Sequence, residues 1–244
     1  MKIDEQYSLL FSDDNKSGYE EEKQKRKQRL VRNEFQKDGK YGMPLIKKQD
    51  IDLDKIKLWN YTKIKTNDES NFDKTIHFFT YDWNFENVYN KPELALEKLD
   101  RYYALLTPEF STYKDMPLAR QIDSVFKNRW CGAFWQKQGM TVIPTISWGS
   151  YDCFEFCFDG VEEGSVVAVS TYTREDNKKG FMEGYELLIK KIKPSAVICY
   201  GKPFPEMKGK IKEIDPFNKE ELIKKIGINE FMNKYLSGEL YPEI

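Results

Sequence analysis

Three short apolar runs, each ending in polar residues, set the expected architecture: Met140 to Trp148 (MTVIPTISW), Ser165 to Thr171 (SVVAVST) and Ala196 to Tyr200 (AVICY). Unbroken Val/Ile runs imply strands buried on both faces, as in parallel sheets covered by helices. Between the last two runs, Phe181, Tyr185, Leu188 and Ile192 recur at helical spacing, with Pro194 just beyond. Strand, helix, strand with short connections is a βαβ unit, so the three runs should pair in parallel.

The same reading extends upstream. Thr75 to Asp82 is strand-like, with His77, Phe79 and Tyr81 on one face and Ile76, Phe78, Thr80 and Asp82 on the other. Asn90-Lys91-Pro92-Glu93 opens a helix with Pro in its first turn, and Leu96, Leu99, Tyr103 and Leu106 give it one buried face. A second helix runs from Met116-Pro117 to Gly139 with a stripe of Ile122, Val125, Phe126, Ala133 and Phe134. A last helical region follows Asp215-Pro216 and breaks near Gly227. Seven or eight strands alternating with helices define an α/β chain. Its mostly parallel sheet is either an incomplete β/α barrel flanked by helices or an open doubly wound sheet. In both, ligands bind at the carboxyl ends of the strands.

Residues 1–45 read differently and are expected to form a charged arm on a single domain, 46–244. Glu20-Glu21-Glu22 precede Lys23, Lys25, Arg26, Lys27, Arg29 and Arg32, with no acid among the bases. Acid first and base later suits an isolated helix, whose dipole and i,i+4 pairs both favour that order. Apolar content is thin there, so Leu30, Val31 and Phe35 are its expected packing stripe.

Composition narrows the class. The chain has 244 residues, is 40% hydrophobic and 15% aromatic, and carries a net charge near −1. It can therefore bury a core, unlike a disordered chain, and overall charge gives it no general affinity for nucleic acid. No apolar run reaches the roughly 20 residues that span a bilayer, and no membrane partner is expected. The start has no secretory h-region, so the four cysteines are expected reduced in a cytoplasm.

Candidate chemistry follows from the strand-end rule. Asp82 and Glu109 are the expected acid–base pair, since two carboxylates in one cleft divide these roles when their environments differ. Tyr200 joins them as a catalytic candidate; Ser147 and Thr171 also end strands. Ser170 and Trp148 are candidates for substrate binding, Trp148 as a stacking floor and Arg129 as a bidentate anion clamp. The competing reading is that strand-end Ser, Thr and Asp cap turns and that Arg129 pairs with an acid. In an extended Tyr151–Phe158, Cys153, Glu155 and Cys157 would share one face, but their spacing departs from the usual zinc pattern and small thiols commonly fill cores. His77, the single histidine, lies mid-strand and reads as hydrogen-bonded structure. There is no P-loop and no G-x-G-x-x-G, so neither metal nor cofactor is expected. The candidate partners are a nucleotide or nucleic acid. The alternative is a non-catalytic accessory protein that binds nucleic acid or a host factor.

Five segments in order carry a resemblance: Leu106-Thr107-Pro108-Glu109-Phe110-Ser111, Gln121 to Trp130 (QIDSVFKNRW), VIPTISW at 142–148, VAVST at 167–171 and ICYG at 198–201. Over roughly residues 70–215 the chain resembles the DUF4417 family, an uncharacterised family seen in bacteria, their phages and other mobile elements. The family pattern places a Gly soon after the SVVAVST-like strand, where this chain has Tyr172-Thr173. The resemblance implies a phage or mobile-element setting and names no catalytic residue.

Overall fold

A computed structural model describes residues 13–172, 177–216, 223 and 226–236. Two compact units divide the chain, residues 1–36 and Lys37–Ile244. The first holds helix α1 (Asp13–Val31). Its bases from Lys23 to Arg29 stand exposed. Leu30 and Val31 are 86% and 46% exposed, so the expected packing stripe is not buried. The helix ends on Arg32, whose left-handed φ of 47° lets its N–H bond back to the Gln28 carbonyl at 2.9 Å.

The second unit opens with a two-strand antiparallel pair, β1 (Lys37–Asp38) and β2 (Met43–Pro44). Seven parallel strands follow: β3 (Leu58–Asn60), β4 (Thr75–His77), β5 (Ala104–Leu106), β6 (Val142–Ile143), β7 (Val166–Ser170), β8 (Ala196–Tyr200) and β9 (Ile211–Ile214). They form sheets β3-β4-β5-β6 and β7-β8-β9, every neighbour pairing parallel. A parallel bridge between Thr145 and Ala168 joins the two. There Ile146 N–H donates to Ala168 O, and Ala168 N–H to Pro144 O, each at 2.8 Å. Pro144 has no N–H to give, which stops β6 as a ladder strand after two residues.

Spatial order thus equals chain order, which excludes the doubly wound alternative. The sheet also curls. His77 at the end of β4 lies 5.0 Å from the Tyr200 ring, and Phe79 stacks on Tyr200 at 4.5 Å, although three strands intervene. Among the described residues no pairing joins β9 to β3. The fold is an incomplete β/α barrel. Leu106, Ile143, Ala168 and Ile198 pack on its concave face, whereas Val167, Val169, Val197 and Cys199 pack outward against α5 (Lys178–Ile192).

The remaining helices are α2 (Asn87–Asn90), α3 (Pro92–Leu99), α4 (Leu118–Lys137) and α6 (Ile228–Leu236). Helix α3 stops at Leu99, short of the expected face reaching Leu106. Tyr103 N–H instead bonds to the Lys74 carbonyl at 3.0 Å, which starts β5 beside β4. The expected strand Tyr151–Phe158 is a tight helical turn over Tyr151–Glu155. Cys157 N–H closes on Cys153 O at 2.8 Å, so the two thiols fall on one turn and both are buried. Helical closure overrides the aromatic, strand-like composition there.

Candidate functional site

At the carboxyl ends of β5, β6 and β7 a narrow open cleft of about 10 Å³, room for about one water, is lined by Glu109, Ile146, Ser147, Trp148, Ser170, Asn177 and Phe181. Three of the six expected site residues, Glu109, Trp148 and Ser170, meet in it. Each follows from the topology. Adjacent parallel strands lie about 4.8 Å apart and end at the same level, so their last side chains converge. Glu109 comes from the loop after β5, Ser147 and Trp148 from the segment after β6, and Ser170 ends β7.

Asp82, Arg129 and Tyr200 are not among the lining residues. Asp82 accepts from Ser111 N–H at 3.0 Å and from Ser111 Oγ at 2.8 Å. It thereby pins the loop two residues beyond Glu109. Tyr200 sits in register with Ser170 on the neighbouring strand, wedged against Phe79 and His77. Burial pushes its hydroxyl pKa up to about 12, with Tyr172 and Asp215 adding to the effect. His77 is buried too. Its Nδ1 accepts from Phe79 N–H at 3.3 Å. Burial, helped by the nearby Lys63 charge, lowers its pKa to about 3.

Arg129 lies beneath the cleft as a structural cation. Its Nε donates to Asp159 O at 2.8 Å, one terminal nitrogen to Thr145 O at 3.2 Å and to Asn128 Oδ1, and the other to Cys157 O at 2.7 Å. Burial draws its pKa down to about 10. With these donors spent on the fold, it is placed to fix loops rather than to clamp an anion.

Asn128 continues that network, and sequence reading missed it. Its Nδ2 donates to Pro108 O at 2.7 Å and to Thr145 O at 3.2 Å. Thr107 Oγ1 donates to Asn128 Oδ1 at 2.9 Å and accepts from Thr145 N–H at 2.7 Å. The backbone on both sides of Glu109 is therefore held, by Asn128 at Pro108 and by Asp82 at Ser111. Asn177 and Phe181, at the start of α5, were also not expected as cleft residues. Their only sequence signal was their position just after β7.

Trp148 is 7% exposed, and Phe181 packs on its ring at 5.1 Å. Its Nε1 donates to Gly180 O at 3.3 Å. A Cβ on Gly184 would come within 2.3 Å of the indole, so only glycine allows α5 to approach this closely. Phe158 also packs on the ring, at 6.0 Å, so most of the indole is taken by the fold.

Elsewhere, Glu155 bonds to Lys40 and Tyr41 at the surface, which separates it from the buried Cys153 and Cys157. Among the described residues no three His, Cys, Asp or Glu side chains are grouped to hold a metal ion. No described helix is long and apolar enough to cross a membrane.

Comparison with known proteins gives a setting for this cleft. The chain is similar to the Gene 1 protein of Mycobacterium phage L5, 35% identical over 174 residues, 70% of this chain and 76% of that one. It is also similar to the Gene 1 protein of Mycobacterium phage D29, 41% identical over 130 residues, 52% of this chain and 48% of that one. No solved structure matches. A family model, Domain of unknown function (DUF4417), matches residues 35–218, a span that holds the whole cleft. The chain belongs to the DUF4417 family of domains of unknown function, with relatives in bacteriophages.

Proposed function

We propose that the carboxyl-end cleft is the active site of an enzyme acting on a nucleotide or a nucleic-acid component. The observation that supports this is the meeting of Glu109, Ser147 and Ser170, from the ends of three adjacent parallel strands, with the apolar wall of Ile146, Trp148 and Phe181. An apolar wall beside a few hydrogen-bonding groups suits a planar base bound across the mouth of the cleft. Glu109 is the proton-exchanging group, because it is the one carboxylate among the described residues that lines the cleft. Ser147 and Ser170 orient the bound group through their hydroxyls. Asp82 is a positioning residue: spent on Ser111, it holds the Glu109 loop instead of sharing the proton transfer.

The test is to incubate the full chain with nucleoside mono- and triphosphates and short oligonucleotides and to follow products by chromatography. The Glu109→Gln variant, nearly isosteric, should keep its melting temperature within a few degrees and lose turnover and tight binding together. Unchanged turnover in Glu109→Gln, or no binding of any of these probes at millimolar concentration, would overturn the reading.

A further inference from the structure

Helix α1 is a charged surface that the cleft does not use. Every residue from Tyr19 to Val31 is exposed. Its helical wheel turns about 100° per residue. On that wheel Lys25, Arg29, Arg26, Lys23 and Lys27 share one arc of about 200° that also holds Glu22, the partner of Arg26, and Glu20, Glu21, Gln24, Gln28 and Val31 occupy the rest. Two of the cations are paired within the helix, Lys23 with Glu20 at 3.5 Å and Arg26 with Glu22 at 3.0 Å. Lys25, Lys27 and Arg29 have no carboxylate partner among the described residues. A helix that is polar all round gains nothing from packing on a core. Unpaired cations on two flanks of one exposed helix, Lys25 and Arg29 on one and Lys27 on the other, call instead for a polyanion.

We infer that α1 binds double-stranded DNA by laying its cationic arc against the phosphates of the major groove. The DNA groove, about 12 Å wide, admits a helix about 10–12 Å across, with cations on both flanks of the helix facing both phosphate walls. The major groove of duplex RNA is too narrow for this. An anionic membrane would need a broad apolar face, and on the cationic side only Tyr19 and Leu30 are apolar. Single strands are held largely by stacking on aromatic rings, and Tyr19 is the one aromatic residue on the described helix. Binding of this kind fixes the chain on DNA without reading sequence, because phosphate contacts carry no base information.

The test uses the full chain and a mixed-sequence DNA duplex, with affinity read by fluorescence anisotropy as salt rises from about 50 to about 200 mM. Each phosphate contact contributes about −0.9 to the slope of log affinity against log salt. The triple variant K25Q/K27Q/R29Q should therefore lose about 2.7 from the magnitude of that slope. Over this fourfold rise in salt its affinity should fall about 40-fold less than that of the parent. Glutamine is a good helix former, so circular dichroism should show the helix retained. The triple variant should bind nucleoside monophosphates as the parent does, which separates this inference from the cleft reading. Equal slopes for parent and triple variant would overturn it. So would an absence of duplex binding at the lowest salt, or an RNA duplex or anionic vesicle bound as tightly as DNA.

Discussion

Lowering the pH from 7 should destabilise the protein well before its carboxylates titrate, and the cause is one side chain. His77 is the single histidine, and burial, with Lys63 behind it, takes its pKa from 6.5 to about 3. The unfolded chain takes up the proton near pH 6.5, while the folded chain refuses it until about pH 3. The neutral ring's contribution is therefore complete above pH 6.5 and is lost as pH falls through that window. Each pH unit removes up to about 1.4 kcal/mol, so the loss is about 3 kcal/mol at pH 4.5 and about 4 kcal/mol near pH 3. That is a large share of the ~5–15 kcal/mol that holds a domain together. The carboxylates held low, Asp68 and Asp73 by hydrogen bonds and Glu155 and Glu206 by lysines, act only below about pH 4.5. Asp159, raised chiefly by burial and also by Asp38, works in the opposite sense. Urea unfolding at a series of pH values between about 7 and 4.5 measures the effect. His77→Asn keeps an acceptor for the Phe79 N–H and should flatten the profile. A parent protein whose stability stays level to pH 5 would refute the argument, as would a variant that retains the full slope. If the variant does not fold, NMR titration of the parent's imidazole tests the same cause directly, and a ring that protonates at its ordinary pH in the folded chain would refute it.

Other perturbations test the scaffold. Arg129→Met leaves the carbonyls of Thr145, Cys157 and Asp159 without their donor and should cost about 3–5 kcal/mol in chemical unfolding. Gly184→Ala drives a methyl into the Trp148 indole; it should cost about 1–3 kcal/mol and shift the tryptophan fluorescence. Removing residues 1–36 leaves the compact unit that begins at Lys37. The melting temperature should move by only a few degrees, as scanning calorimetry would show.

The fold was legible where burial alone decides local structure. The runs at 166–170 and 196–200 are strands because both faces of the sheet are covered, and their parallel pairing in register, Ser170 beside Tyr200, follows from the helix between them. The choice between barrel and open sheet was not legible. It depends on strand order and curl, seen in the contact of Phe79 and His77 with Tyr200, and no periodicity encodes that. Two local readings failed because backbone bonding overrode side-chain pattern. Tyr103 looked like the next position on a helical face, yet its N–H is taken by Lys74. Cys153 to Cys157 alternated like a strand, yet closes into a turn.

The site shows the same division between what topology dictates and what packing adds. Glu109, Trp148 and Ser170 were visible because strand ends of adjacent parallel strands must converge, whatever the loops contain. Asp82 was expected to end a strand too, and nothing in the sequence distinguishes it from Glu109, but β4 stops at His77 and Asp82 opens a short helical turn. The difference is Ser111, whose N–H and hydroxyl both reach Asp82 and convert a candidate acid into a loop anchor. Arg129 illustrates the point more strongly. An arginine on a helix can clamp a ligand or hold the chain, and the outcome turns on what acceptors surround it. Here they are carbonyls from residues 145, 157 and 159 and the Asn128 side chain, brought together only by the closed turn after Tyr151. Charge inside a fold goes to the nearest acceptors able to offset its desolvation. A cation deep in the helix layer therefore meets backbone oxygens before it meets a ligand. Glu109, by contrast, stands on a loop whose two ends are fixed by Asn128 and Asp82. That is why the proposed role falls to Glu109 and not to Asp82, which its bonds to Ser111 commit to the fold.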